Sequence, residues 1–379
     1  MTSPEADTGV LIINTGSSTL KLRLLDRAGV VIAAADVDPW DGHDVDPIRS
    51  FVTHARGVGA VGHRVVHGGE DLRVATVIGE EVLRQIESLT TLAPLHQPRA
   101  VAAIRAARDI LPDVPHVACF DTAYHAGMPE AAATYPLPPE WRDRWPLRRF
   151  GFHGLSHAHA ARRAEELIGP GTDRLRVVTC HLGAGASLCA SLGERSVDTT
   201  MGFTPLDGLV MQTRSGALDP GLVVWLCTEG GLDPAEVGHQ LARRSGLAAL
   251  TGGSGDMRDV IDRWARGDQQ AALAFEVYVH RLGREIAAMT ASLIGLDALV
   301  FTGGIGQHTP EIREAAVARL SHLGVALDRS RNSTAIEGGD HDLSPSGASV
   351  RVLVVEARED LEIARQTRGA LRASREMPG

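Results

Sequence analysis

The hydrophobic pattern opens with a short apolar run at residues 10–14, an alternating run at 20–25 and another apolar run at 30–35. Small residues, Thr15-Gly16-Ser17-Ser18-Thr19, separate the first two, so the opening predicts strand, tight turn, strand, strand. Residues 60–66 predict a further strand ending at His67-Gly68-Gly69, and residues 116–120 one that delivers Asp121 at its C-terminal end. Residues 80–92 and 99–110 carry helical periodicity, and Pro94 and Pro98 bracket a loop, Leu95-His96-Gln97, between them. The stretch 129–146 is rich in proline and charge, which places a domain boundary near Phe150. Beyond it the pattern begins again: an apolar run at 176–182, the turn Gly183-Ala184-Gly185-Ala186-Ser187, an alternating stretch to Leu192, then 195–199. Strand, small-residue turn, strand, strand thus occurs once in each half. Residues 270–294 form a long helix, apolar on more than one face and therefore buried. A buried strand at 298–301 runs into Thr302-Gly303-Gly304-Ile305-Gly306. A helix at 310–320 with proline in its first turn, a strand at 350–355 and a helix at 360–371 complete the chain. Alternating strands and helices in both halves predict two α/β domains, residues 1–150 and 151–359.

Composition narrows the function. The 379 residues suffice for two cores, and 44% hydrophobic with 22% charged residues is ordinary for a globular chain. Aromatics at 4% and a net charge of −9 exclude the stacking, basic surfaces that bind nucleic acid. Residues 1–8 have neither a basic segment nor an apolar one, and no apolar run is long enough to cross a membrane, so a cytoplasmic protein is expected. Cys119, Cys180, Cys189 and Cys227 show no metal-ligand spacing, and three of them lie in apolar runs, as in a reducing compartment.

Phosphate handling needs backbone N–H groups at glycine- or serine-rich turns after strands. This chain offers Gly16-Ser17-Ser18, Gly183-Ala184-Gly185 and Gly303-Gly304-Ile305-Gly306. It has neither a G-x4-G-K-[ST] loop nor a G-x-G-x-x-G fingerprint, which disfavours P-loop and dinucleotide folds. Of the 38 basic residues all but Lys21 are arginine, and Lys21 stands just after the first turn, where a compact ammonium would meet phosphate. His153, His157 and His159 do not read as a zinc site, because the glutamate of H-E-x-x-H is missing and Gly154 weakens a helix there.

Seven blocks, in order, resemble the acetate kinases. They are Asn14-Thr15-Gly16-Ser17-Ser18-Thr19-Leu20-Lys21, Gly62-His63-Arg64-Val65-Val66-His67-Gly68-Gly69 and Phe120-Asp121-Thr122-Ala123-Tyr124-His125. Arg149-Phe150-Gly151-Phe152-His153-Gly154, Thr213-Arg214-Ser215-Gly216, Ser254-Gly255-Asp256-Met257-Arg258-Asp259 and Phe301-Thr302-Gly303-Gly304-Ile305-Gly306 follow. The resemblance implies two actin-like (ribonuclease H-like) domains with ATP in the cleft between them, a last helix, 360–379, packing back on the first domain, and a homodimer. The implied reaction is Mg2+-dependent phosphoryl transfer between ATP and acetate, giving acetyl phosphate and ADP.

The resemblance also assigns roles. Asp121, His153 and Arg214 are its catalytic residues. Arg64 binds the carboxylate, for which a guanidinium fork is suited, and Val66, Leu95, Phe152 and Pro205 surround the alkyl end. His153 and Arg214 suit the charge-spread, in-line transition state. The acceptor carboxylate is already ionised at pH 7, so physical reasoning gives Asp121 the task of orienting an arginine, beside the acid–base role the family assigns. Lys21, His181, Leu182, Gly183, Ala184 and Gly185 face phosphate. Asp256, Met257 and Arg258, with Gly304, Ile305, Gly306, Gln307 and His308, cradle adenosine. Asn14 and Glu359 help hold Mg2+, with Mn2+ as an alternative, directly or through water.

The chain departs from the family pattern at Ala184 in place of asparagine, at Gln307-His308 in place of Glu-Asn and at Ala217 in place of aspartate, and its segment 36–57 is shorter. Two other readings stand beside acetate kinase. One is a propionate or butyrate kinase with the same mechanism, since one methylene is worth only about 1–3 kcal/mol in an apolar pocket. The other is a nucleotide-binding relative without catalysis.

Overall fold

The computed structural model describes residues 9–16, 19–169 and 174–376; Ser17 and Ser18 of the first small-residue turn lie outside them. The chain divides into two compact units. The first comprises the described residues of Met1–Ala126, Phe152–His159 and Arg358–Gly379; the second comprises those of Gly127–Gly151 and Ala160–Ala357.

In the first unit the strands are β1 (Gly9–Thr15), β2 (Leu20–Leu25), β3 (Val31–Val37), β4 (Val58–Val65), β5 (Thr76–Val77) and β6 (His116–Phe120). They form one sheet in the order β3-β2-β1-β4-β6-β5. The meander β1-β2-β3 is antiparallel, β4 and β6 run parallel to β1, and β5 returns antiparallel on the edge. The period-2 rule sorts the side chains of β1. Leu11 and Ile13 face a core shared with Leu22, Val61 and Ala103, Ala106 and Ala107 of the helix Gln97–Ile110. Val10 and Ile12 face the opposite core, with Val117, Cys119, and Ile363 and Ala364 of the last helix, Glu359–Glu376. With both faces covered, β1 is apolar nearly throughout.

The second unit repeats this plan. Its strands are β7 (Arg176–Leu182), β8 (Ala186–Leu192), β9 (Arg195–Thr199), β10 (Ala298–Thr302), β11 (His341–Asp342) and β12 (Arg351–Val354). Their order is β11-β12-β10-β7-β8-β9. Again three strands form an antiparallel meander, two more run parallel to the first of them, and a short antiparallel strand closes the edge. The long helix Gln269–Leu293 starts at Asp268, whose carboxylate accepts from the Gln270 and Ala271 amides at 2.8 and 3.1 Å. It buries Phe275, Val279, Leu282, Ile286 and Met289.

Three local readings change. The helix expected over 80–92 ends at Ser88 and continues as a 3-10 turn, Leu89–Thr91. Gln97, expected in a loop, opens the next helix, because a proline in the first turn has no N–H to waste and Pro98 occupies that place. The glycine run after β10 is a short helix, Gly303–His308, rather than an open turn. Cys119, Cys180 and Cys189 are buried, as their apolar runs suggested. Among the described residues no helix is long and apolar enough to cross a membrane.

The last helix lies where β4 has no side chain: a Cβ at Gly62 would stand 2.5 Å from Thr367 Oγ1 and 2.7 Å from Ile363 Cγ2. Replacing the fully buried Ile363 should therefore open a cavity under this helix. Ile363→Ala is expected to lower the unfolding free energy by about 2–5 kcal/mol. Urea denaturation measures this, and an unchanged midpoint would show that the helix is not part of the cooperative core.

Candidate active site

Three neighbouring parallel strands of the first unit end at the same edge, the carboxyl edge where ligands of open α/β sheets bind. β1 presents Asn14, β4 presents Arg64, and Asp121 follows β6 directly. Asp121 is 1% exposed and takes two hydrogen bonds from Arg64, Nη2 to Oδ2 at 2.7 Å and Nε to Oδ1 at 3.2 Å. Arg64 Nη1 also donates to Asn14 Oδ1 at 3.3 Å, and Asn14 Nδ2 donates to Glu359 Oε2 at 3.0 Å. Glu359, at the start of the last helix, stands 3.9 Å from Arg64 Nε. Burial raises the Asp121 carboxyl above its ordinary range, and the Arg64 guanidinium pulls it back. Burial by itself would lower Arg64, but Asp121 and Glu359 outweigh it and raise its pKa. Burial is the larger effect on Asp121, so its net direction stays upward despite the ion pair. Lys21 is exposed on β2, in register with Asn14 of β1 and Asp36 of β3.

His153 sits beside this network. Its backbone is left-handed, φ 56°, a conformation that few residues other than glycine adopt. Its amide donates to the Asp121 carboxylate. Gly154 N–H donates to the Asp121 carbonyl at 3.0 Å, and a Cβ there would lie 2.1 Å from that oxygen. Only glycine fits between His153 and the end of β6. Of the apolar residues assigned to the acyl group, Val66 and Phe152 are buried and Leu95 is at the surface. The Phe152 ring meets the His67 ring edge-on at 5.6 Å.

In the second unit, His181 and Leu182 end β7, and Gly183-Ala184-Gly185 turn the chain into β8 with Gly183 N–H donating to the Gly185 carbonyl at 3.0 Å. The Ala184 carbonyl accepts from the Gln212 amide at 3.2 Å. β10 lies alongside in parallel, Thr302 opposite His181, so the turn after β7 and the helix Gly303–His308 start from the same edge. Asp256 caps the helix Met257–Ala265 by accepting from the Arg258 amide at 2.9 Å, and it also pairs with the Arg258 guanidinium. Gln307 Oε1 accepts from the Ala357 amide at 3.1 Å, and His308 Nδ1 is 2.9 Å from the Ile336 carbonyl. Arg214 donates to the Pro205 carbonyl at 3.2 Å and lies beside Met211 Sδ. Burial and the neighbouring Arg243 lower its pKa, and among the described residues no carboxylate pairs with it. An arginine so placed keeps its donors for an anion.

The model of the acetokinase family matches residues 46–365. The chain belongs to the acetokinase family. It is 49% identical to an acetate kinase of Synechococcus sp. over 86% of its length and 78% of that protein. It is 42% identical to an acetate kinase of Streptomyces coelicolor, covering 96% of this chain and 97% of the other. Among solved structures, Porphyromonas gingivalis acetate kinase superposes with a TM-score of 0.88 at 32% identity, over 96% of this chain and 100% of that one. A Francisella tularensis propionate kinase gives the same TM-score and identity, over 96% and 99% of the two chains. An acetokinase is a kinase, so this chain is an enzyme: a phosphotransferase with a carboxyl group as acceptor and a nucleotide as co-substrate. The two actin-like domains expected from the resemblance are the two six-stranded sheets of like order.

Sequence reasoning left several buried polar residues of this acetokinase, close in sequence or contact to the candidate site, without a role. Arg313 is fully buried and donates to the carbonyls of Gly306 and Gln307 at 2.9 and 2.7 Å, and to those of Asn332 and Ala335 at 2.9 and 3.0 Å. It braces the end of the helix Gly303–His308, and an isolated arginine in a helical pattern carries no signal of that. His67 and His125 are buried, and burial holds both rings down to about 4, so they are neutral at pH 7. Unfolding returns them towards the ordinary histidine value of 6.5. Below 6.5 the unfolded chain therefore binds protons that the folded chain excludes, and stability falls as the pH drops towards 4. Each ring steepens that fall by about 1.4 kcal/mol per pH unit. Urea unfolding at pH 7, 6 and 5 reads the slope, and a flat profile would contradict the burial of two neutral rings.

Proposed function

We propose that this acetokinase transfers the γ-phosphoryl group of ATP to acetate, reversibly, giving acetyl phosphate and ADP by direct in-line displacement. The observation that carries this reading is the Arg64 guanidinium, held by Asp121, Asn14 and Glu359 at the carboxyl ends of parallel strands. A guanidinium fixed on one side by a carboxylate has its direction set, and it can meet the acceptor carboxylate without first ordering itself. Asp121 orients Arg64, and His153 and Arg214 supply positive donors to the charge spread over the transferred group. Val66, Leu95, Phe152 and Pro205 meet the alkyl end of the acid. Lys21 and the turn His181, Leu182, Gly183, Ala184, Gly185 hold phosphate, and Asp256 to Arg258 with Gly304 to His308 hold adenosine. The non-catalytic alternative is disfavoured, because a binder of nucleotide alone has no use for a buried, oriented Arg64.

Asn14 and Glu359 would hold Mg2+, or Mn2+ in its place. The two side chains already meet, Asn14 Nδ2 on Glu359 Oε2. With the Asn14 oxygen turned away from Arg64 they would offer a hard cation an amide oxygen and a carboxylate, to be completed by phosphate oxygens and water. The ion would supply charge neutralisation between the β- and γ-phosphates. A homodimer belongs to the same reading. The helix Pro220–Thr228 buries none of its residues, although Leu222, Val224 and Trp225 are 44, 61 and 55% exposed, with Leu218 and Leu232 also bare nearby. A second copy covering this apolar face would explain it. We place the enzyme in the cytoplasm, where ATP and ADP are available.

Hydroxylamine trapping with ATP, Mg2+ and acetate tests the reaction, with propionate and butyrate alongside. Acetyl hydroxamate is expected, with Arg64→Ala reducing kcat/KM about a hundred- to thousand-fold. A flat or rising series with acid length would favour propionate or butyrate kinase, and no product from any acid despite ATP binding would favour the non-catalytic reading. For the dimer, Trp225→Glu is expected to shift sedimentation from a dimer to a monomer of 40.3 kDa. A wild-type monomer would dispose of it.

A further inference from the structure

The peptide joining Phe152 to His153 is held from both sides. Its N–H donates to the Asp121 carboxylate, and its carbonyl lies 3.1 Å from His125 Nε2. A carbonyl can only accept, so the His125 ring carries its proton on Nε2. His125 is fully buried, with the rings of Tyr124 and His157 edge-on at 5.5 and 5.7 Å, so it has no freedom to turn away. The neighbouring bonds close the arrangement: Gly154 N–H to the Asp121 carbonyl, and His157 N–H to the His153 carbonyl at 2.9 Å. At the centre stands a histidine whose φ of 56° is unfavourable for a residue with a side chain. Such a conformation persists only where its surroundings over-determine it.

We propose that His125 is a positioning residue, which acts with Asp121 as a two-sided clamp on the Phe152–His153 peptide and so fixes the left-handed backbone that aims the His153 side chain. This inference rests on the reading of His153 as a catalytic residue. His125 itself touches neither acid nor nucleotide in this scheme. Its Nε2–H satisfies the Phe152 carbonyl, and the satisfied carbonyl holds the plane of the peptide. Asp121 then has two tasks, orienting the Arg64 guanidinium and holding the other edge of that peptide.

His125→Phe keeps the ring and removes the donor, whereas His125→Gln keeps a side-chain N–H. In the hydroxamate assay His125→Phe is expected to lose about 10- to 100-fold in kcat, with KM for ATP and for acetate within about twofold of wild type. His125→Gln should recover part of the loss. A packing defect would instead move the thermal midpoint without this split between kcat and KM. A folded His125→Phe protein with wild-type kcat would overturn the proposal. The clamp is also read without turnover, from the 15N shifts of the His125 ring and the hydrogen exchange of the His153 amide in the wild-type chain. A protonated Nε2 and a protected amide are expected, and a ring protonated on Nδ1 would overturn the clamp even if the variants failed to fold. If the wild-type enzyme makes no acyl phosphate yet shows both signatures, the functional reading fails while the clamp stands.

Discussion

A buried ion pair organises the first unit. Taking Arg64 and Asp121 out of water costs several kcal/mol for each charge, and their attraction offsets this only if the remaining donors and acceptors are matched. That condition is met here. The contact is a two-bond fork, Asn14 takes a further Arg64 N–H, and the His153 amide takes remaining capacity of the carboxylate. That demand explains much of the surrounding architecture. The strands must run parallel so that their ends coincide, Gly154 must lack a side chain, and the last helix must begin at Glu359.

The same sheet plan carries different residues at its strand ends in the second unit. Where two parallel strands of the first unit end at Arg64 and Asp121, two of the second, β7 and β10, are followed by Gly183 and Gly303. A carboxylate calls for a directed cation, whereas a nucleotide calls for close backbone approach and exposed N–H groups. The departures at Ala184 and at Gln307-His308 fall on the glycine-bearing side. Ala184 still offers a main chain held through Gln212, and Gln307 has a structural partner in the Ala357 amide. Both substitutions therefore leave the turns anchored.

Flexibility is confined by similar means. Arg313 uses its buried guanidinium on main-chain carbonyls and on the Asn332 side chain, which braces the segment after β10. Its pKa is pushed down to about 10 by burial, so it remains a cation at neutral pH. Arginine suits this task because its rigid fork presents several donors at fixed angles.

Alternation along 20–25, the apolar runs at 10–14 and 298–301 and the repeated turn after the first strand of each half made the strands and the duplication legible from sequence alone. The motif blocks also singled out Arg64, Asp121 and His153 in linear order, and the structure brings these three together. Hydrophobic period reports only which face is buried. It could not show that Gln97 and Gly303 open helices, because proline and glycine read as breakers until a helix start claims them. Nor could it place a single break near Phe150 in agreement with units that exchange segments, residues 127–151 lying with the second and Phe152–His159 with the first. Side chains far apart along the chain carry no mutual signal in one sequence. Tertiary structure alone decided that Glu359 reaches Asn14, that Arg64 locks to Asp121 and that His125 and Asp121 grip one peptide bond. These contacts arise from strand register and from the docking of the last helix, and only burial gives them their strength.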